Sequence, residues 1–140
     1  MKTVFVFGTF DGLHPGHDAF LAQAKACGDE LVVSVAQDEI VEKLKHRAPD
    51  KTLTERLTAL EEHPLVARAV PGDSKIGTYQ CFQAVKPDIV AFGYDQDELA
   101  KDFHRFQQTT GDETPTVVLK PYQAEIYKTS LLRTKKYDRP

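Results

Sequence analysis

The chain has 140 residues, 41% of them hydrophobic, a net charge of −3 and a pI near 5.9. That length suits one domain spanning 1–140 with a core of useful size, and the mildly acidic balance gives no electrostatic reason to expect a nucleic-acid partner. No apolar run approaches the ~20 residues of a membrane span, and Met1-Lys2-Thr3 leads directly into a strand pattern rather than a leader, so no membrane partner and a cytoplasmic location are expected.

Apolar runs alternate with helical patterns along the chain. Thr3–Phe7 is predicted as a strand and His17–Ala26 as a helix closed by Gly28. Glu30–Ala36, with Leu31-Val32-Val33 and Val35, has the continuous apolar character of a buried parallel strand. A helix over Asp38–Lys45 is followed by a polar stretch, His46–Lys51. Thr54 is expected to start a helix over Glu55–Glu62. Then come a strand at Val66–Val70, a short helix at Tyr79–Val85, a strand at Asp88–Phe92 and a polar helix at Gln96–Thr109, where Phe103 and Phe106 form a buried stripe. Thr116–Leu119 is the fifth strand and Thr129–Lys136 a last helix. Five strands alternating with helices predict an α/β, Rossmann-like doubly wound domain with a five-stranded parallel sheet. Such sheets bind ligands beyond the carboxyl ends of their strands. Cys27 and Cys81 lie far apart in sequence and read as reduced, partly buried thiols.

The most informative segment is Gly8-Thr9-Phe10-Asp11-Gly12-Leu13-His14-Pro15-Gly16-His17. It runs from the first strand through a glycine turn into the first helix. A helix N-terminus with free N–H groups attracts phosphate. The imidazoles of His14 and His17 can add donors there, and Gly16 lets backbone come close without a Cβ in the way. Metal ligation by the two histidines is the weaker reading, because no further His/Cys cluster stands at ligand spacing. His46, His63 and His104 are scattered and read as surface residues.

Gly8, Phe10, Asp11, His14, Gly16 and His17 complete the pattern G-x-F-D-x-x-H-x-G-H. It resembles the signature of the nucleotidyltransferase superfamily that includes cytidylyltransferases, pantetheine-phosphate adenylyltransferase and archaeal FAD synthases. The resemblance implies transfer of a nucleoside monophosphate from a nucleoside triphosphate to a phosphorylated small-molecule acceptor, with Mg²⁺ and loss of pyrophosphate. Such a reaction needs in-line alignment and charge neutralisation rather than a covalent intermediate. By the same resemblance His14 and His17 stabilise the triphosphate, and Gly8, Thr9 and Phe10 border the reacting phosphates. Asp11 orients a reacting group or helps hold Mg²⁺; a local turn bond two residues on is the plain alternative.

Three further segments match more loosely. Lys43-Leu44-Lys45-His46-Arg47 reads by charge alone as a solvated helix end; the resemblance makes it a basic loop in which Lys45 or Lys43 reaches the substrates, and Arg56 supports the rim by ion pair or hydrogen bonds. Gly93-Tyr94-Asp95-Gln96 resembles a segment bordering the base and ribose, with Asp95 also a candidate helix cap. Lys128-Thr129-Ser130 resembles a segment whose hydroxyls and cation bind the β- and γ-phosphates, although no cysteine stands there as it often does in archaeal FAD synthases. FMN adenylyl transfer is the favoured reading. A glycerol-phosphate or other polyol-phosphate cytidylyltransferase is the alternative, and a non-catalytic nucleotide-binding module the alternative of another class. Homodimers are common among the relatives.

Overall fold

The computed structural model describes residues 1–121 of the chain. The elements follow one another as β1 (Thr3–Gly8), α1 (Pro15–Lys25), β2 (Glu30–Val35), α2 (Asp38–Lys45), α3 (Leu53–Glu61), β3 (Arg68–Pro71), α4 (Gln80–Val85), β4 (Ile89–Phe92), α5 (Asp97–Thr110) and β5 (Thr116–Val118). The five strands form one all-parallel sheet in the order β3-β2-β1-β4-β5. Winding starts at β1, runs outward to β3, then restarts at β4 beside β1. The expected doubly wound α/β fold is therefore present. The predicted helix at Thr129–Lys136 lies outside the described residues.

Strand alternation sorts the sequence into two cores. Val4 and Val6 of β1, with Leu31, Val33 and Val35 of β2, face α1 and α3, where Leu21, Ala24 and Leu60 meet them. Phe5 and Val32 point to the opposite face. There Phe82 of α4 and Phe103 of α5 pack edge to face with centroids 4.9 Å apart, a favoured geometry for aromatic pairs. One face is aliphatic and the other largely aromatic. Cys27 packs against the first and Cys81 against the second, both as free thiols.

Helix starts differ from the sequence reading where a local hydrogen bond decides. α1 begins at Pro15, not His17, because His14 itself caps it. Pro15 suits the first helical position, where its missing N–H costs nothing. α3 begins at Leu53 because Thr52, not Thr54, is the cap: Thr52 and Glu55 bond each other's backbone N–H groups.

Candidate active site

A cleft of about 820 Å³ opens over the carboxyl ends of the strands, and Gly8, Thr9, His14, His17, Lys45 and Asp95 are among the residues that line it. It includes the place where β1 and β4 lie side by side and the winding reverses, where doubly wound sheets hold ligands.

The two histidines form a capping box in place of the usual hydroxyl and carboxylate. His14 Nδ1 accepts from the Gly16 N–H at 3.1 Å, and His17 Nδ1 accepts from the His14 N–H at 3.2 Å. An imidazole nitrogen that accepts carries no proton, so each neutral ring holds its proton on Nε2. The fold thereby sets both tautomers, with Nε2–H as the donor of each of two tilted rings whose centroids lie 3.9 Å apart at a helix N-terminus. Burial pushes the His17 pKa down to about 4, helped by His14 and Lys45 and opposed by Asp18. His17 is thus a neutral donor at pH 7.

The loop before this helix is packed, not merely flexible. Phe10 adopts a left-handed conformation with φ of +51° and is only 4% exposed. Its ring occupies the space beside Gly8, where a Cβ would overlap Phe10 Cε2 and Cζ. Gly8 is required first by Phe10.

Asp11 lines the cleft but does not make the local turn bond. Its Oδ2 and Oδ1 accept from the N–H groups of Asp50 and Lys51 at 2.8 and 2.9 Å. Burial raises its pKa, but the two backbone donors, with Arg56 and Arg47, outweigh that and hold it below the usual carboxylate value. The carboxylate ties the histidine loop to Asp50 and Lys51, a few residues beyond the basic run.

Arg56 corrects the expectation of a residue at the rim: its side chain is fully buried. Its Nε donates to Lys51 O, Nη1 to Thr9 O and Ala36 O, and Nη2 to Asp38 Oδ1 at 2.6 Å. One planar guanidinium fastens three segments, a use for which a lysine's single nitrogen has too few donors in the right plane. The hydrogen bonds expected of Arg56 exist, but beneath the site.

Of the two lysines left open by the sequence, Lys45 lines the cleft and acts electrostatically on His17. Lys43 is exposed on the same helix and is not among the cleft's lining residues. Arg47, within the basic run but not singled out by sequence, also lines the cleft. Gly16, Gly93, Tyr94 and Asp95 come together around a narrow crevice between α1 and the β4–α5 turn. The residue preceding α5 is Gln96, not Asp95. Its side-chain amide spans the reversal itself, accepting from Gly93 N–H at 2.7 Å and donating to Phe7 O at 2.9 Å. Sequence reasoning missed that bridge, since only tertiary structure brings Phe7 to Gln96. Lys128, Thr129 and Ser130 lie outside the described residues.

Residues 5–135 match the Cytidylyltransferase-like family. The chain belongs to it. This cytidylyltransferase-like chain is 42% identical to an FAD synthase of Aciduliprofundum boonei over 87% of its own length and 80% of that protein's. It is 37% identical to an FAD synthase of Pyrococcus horikoshii over 95% of its own length and 87% of the relative's. A lipopolysaccharide core biosynthesis protein from Thermoplasma volcanium superposes with a TM-score of 0.79 at 32% identity, over 88% of this chain and 99% of the other. The protein is a nucleotidyltransferase of the cytidylyltransferase-like family with a Rossmann-like fold.

Proposed function

We propose that this nucleotidyltransferase is an FAD synthase, moving AMP from ATP to FMN. The chemistry rests on one observation: two imidazoles whose Nδ1 atoms accept from backbone N–H groups, which fixes each ring's position and makes Nε2 its donor atom. The choice of ATP and FMN is supported by the similarity to FAD synthases over most of the chain.

An oxygen of the FMN phosphate attacks the α-phosphorus of ATP. The bond from α-phosphorus to the bridging oxygen breaks, and pyrophosphate leaves with that electron pair. Charge grows on the α- and bridging oxygens as this happens. His14 and His17 donate hydrogen bonds to it from rings held in place by backbone, and Lys45 adds positive charge at the same cleft. Asp11 and Arg56 act at one remove, holding the segment that follows the basic run against the histidine loop. Gly8, Thr9, Phe10 and Gly16 shape the phosphate-binding backbone, while Gly93, Tyr94 and Asp95 border the nucleoside. Lys128, Thr129 and Ser130, outside the described residues, are assigned to the β- and γ-phosphates by the family resemblance.

Mg²⁺ enters in this reading on the triphosphate. Among the described residues no group of three His, Cys, Asp or Glu side chains is placed to hold a metal alone, and magnesium is commonly shared between substrate phosphates and at most one or two carboxylates. When bound it offsets phosphate charge. Asp11, with two oxygens already accepting from backbone, acts on the loop. No helix among the described residues is long and apolar enough to cross a membrane. A cytoplasmic homodimer without a nucleic-acid partner is the setting proposed.

Pyrophosphate release with Mg²⁺ tests the reading, pairing ATP or CTP with FMN or glycerol 3-phosphate. Release with ATP and FMN, with FAD as product, is expected. Release only with CTP and a polyol phosphate would replace the proposal, and nucleotide binding with no turnover across a wider acceptor panel would make the protein a binding module.

A further inference from the structure

The cleft that holds the histidines also has an apolar lining. Among the described residues four large hydrophobic side chains are strongly exposed: Met1, Leu44, Ile76 and Val118. Met1 is the chain terminus and Val118 sits on the edge strand β5. The other two, Leu44 at 62% and Ile76 at 56% exposure, both line the one cleft that holds His14 and His17. Single exposed aliphatic residues are ordinary on any surface. Two from separate elements converging on one concave site suggest a ligand with an apolar face.

Neither side chain is there by slack in the backbone. Leu44 continues the stripe of Ile40 and Val41, which are buried one turn earlier on α2. Ile76 belongs to the loop between β3 and α4, which is closed by its own hydrogen bonds. Asp73 accepts from the Gln80 and Cys81 N–H groups and from Thr78 Oγ1, and Thr78 Oγ1 also reaches Lys75 O. Phe7, half-buried at the end of β1, adds an aromatic edge to the same cleft. The first turns of α5 add the carboxylates of Asp97, Glu98 and Asp102, a poor setting for a second anionic group.

We propose that this apolar part of the cleft is the subsite for the flat ring of the acceptor, and that Leu44 and Ile76 are specificity-determining residues for it. The inference rests on the FAD synthase reading and deepens it. A flavin is a planar ring with apolar faces, joined by a polar ribityl chain to a phosphate that reaches the histidines. Binding it removes Leu44 and Ile76 from water. Glycerol 3-phosphate has no apolar face, and would leave both side chains as exposed as they are without it.

The test compares the intact protein with L44S, I76S and the double variant, using flavin fluorescence quenching and steady-state kinetics. Riboflavin, which lacks the phosphate, serves as the binding probe for the ring alone. The double variant is expected to weaken riboflavin binding and raise the KM for FMN by roughly tenfold or more, the scale of small apolar changes in a pocket, while the KM for ATP stays within about twofold. L44M and I76L, which keep the apolar surface, should restore flavin binding. Circular dichroism confirms folding, which these exposed positions do not support. Unchanged riboflavin affinity and FMN KM in a double variant of an enzyme that does make FAD would overturn the ring subsite alone. An intact protein that ignores flavins and turns over CTP with a polyol phosphate would overturn the functional reading and the subsite with it.

Discussion

The polar and the apolar residues of the cleft are built on opposite plans. Around the histidines the polar side chains are spent on backbone: His14 and His17 on the first turn of α1, Asp11 on Asp50 and Lys51, Arg56 on three carbonyls and Asp38. Leu44 and Ile76, by contrast, stand open over firmly held backbone. The difference follows from what each set must do. Stabilising a developing charge needs donors whose direction is settled beforehand, and direction is set by hydrogen bonds. Accepting an apolar ring needs area, which a side chain supplies without any partner.

Loosening the rigid set should cost most at Arg56. R56M keeps much of the volume but leaves three carbonyls and the Asp38 carboxylate without the guanidinium that joins them. Each buried group left unmatched costs roughly 1–3 kcal/mol, so losing several bonds together is expected to lower the urea midpoint strongly. Retention of wild-type stability would show that the guanidinium is not the fastening described.

Next are the donors themselves. H14A and H17A should each lower kcat by about 10²–10³-fold, the scale of losing one preorganised donor, with thermal unfolding run alongside as the control for the lost cap. A variant that loses nucleotide affinity but not turnover would assign these rings to binding alone.

The burial of His17 gives a pH signature of similar size. Its pKa is about 4 in the folded chain against 6.5 for an unperturbed histidine. Between those values the folded chain binds fewer protons than the unfolded one. The contribution is therefore complete above pH 6.5, shrinks as the pH falls toward 4, and is flat below. The shift corresponds to about 3 kcal/mol. Urea titrations of the wild type and H17N across that window should diverge in slope; parallel curves would mean that the ring is charged in the folded state.

The smallest contrast sharpens the picture within one helix. K45A should raise KM or lower kcat by roughly tenfold, as expected for the loss of a phosphate-facing charge, whereas K43A should change either by less than about twofold. Equal losses would move the relevant cation away from the cleft-lining position.

Much of this was legible in the sequence, and the limits have a physical pattern. The sheet could be read because Val4-Phe5-Val6-Phe7 and Leu31-Val32-Val33 are continuous apolar runs that only a doubly covered strand requires. The histidine segment could be read because its spacing is local. What could not be read was the far partner of each polar group. Asp11 is 39 residues from Asp50 and Arg56 is 47 from Thr9, and no local pattern reports a bond across such a distance. Gln96 escaped notice for the same reason. The Thr52 cap is a different kind of miss, since the Thr52-to-Glu55 spacing was available in the sequence and Thr54 was preferred to it.

The crowding between Gly8 and Phe10 changes how the first half of the motif is inherited and redesigned. A Cβ on Gly8 and the ring of Phe10 claim the same volume, so the two positions form one unit that exchanges together or not at all. A glycine that looks as though it makes room for a ligand is making room for a neighbour two residues away. Grafting the motif onto another strand therefore demands the phenylalanine and its left-handed backbone as part of the transplant, not only the histidines that do the chemistry.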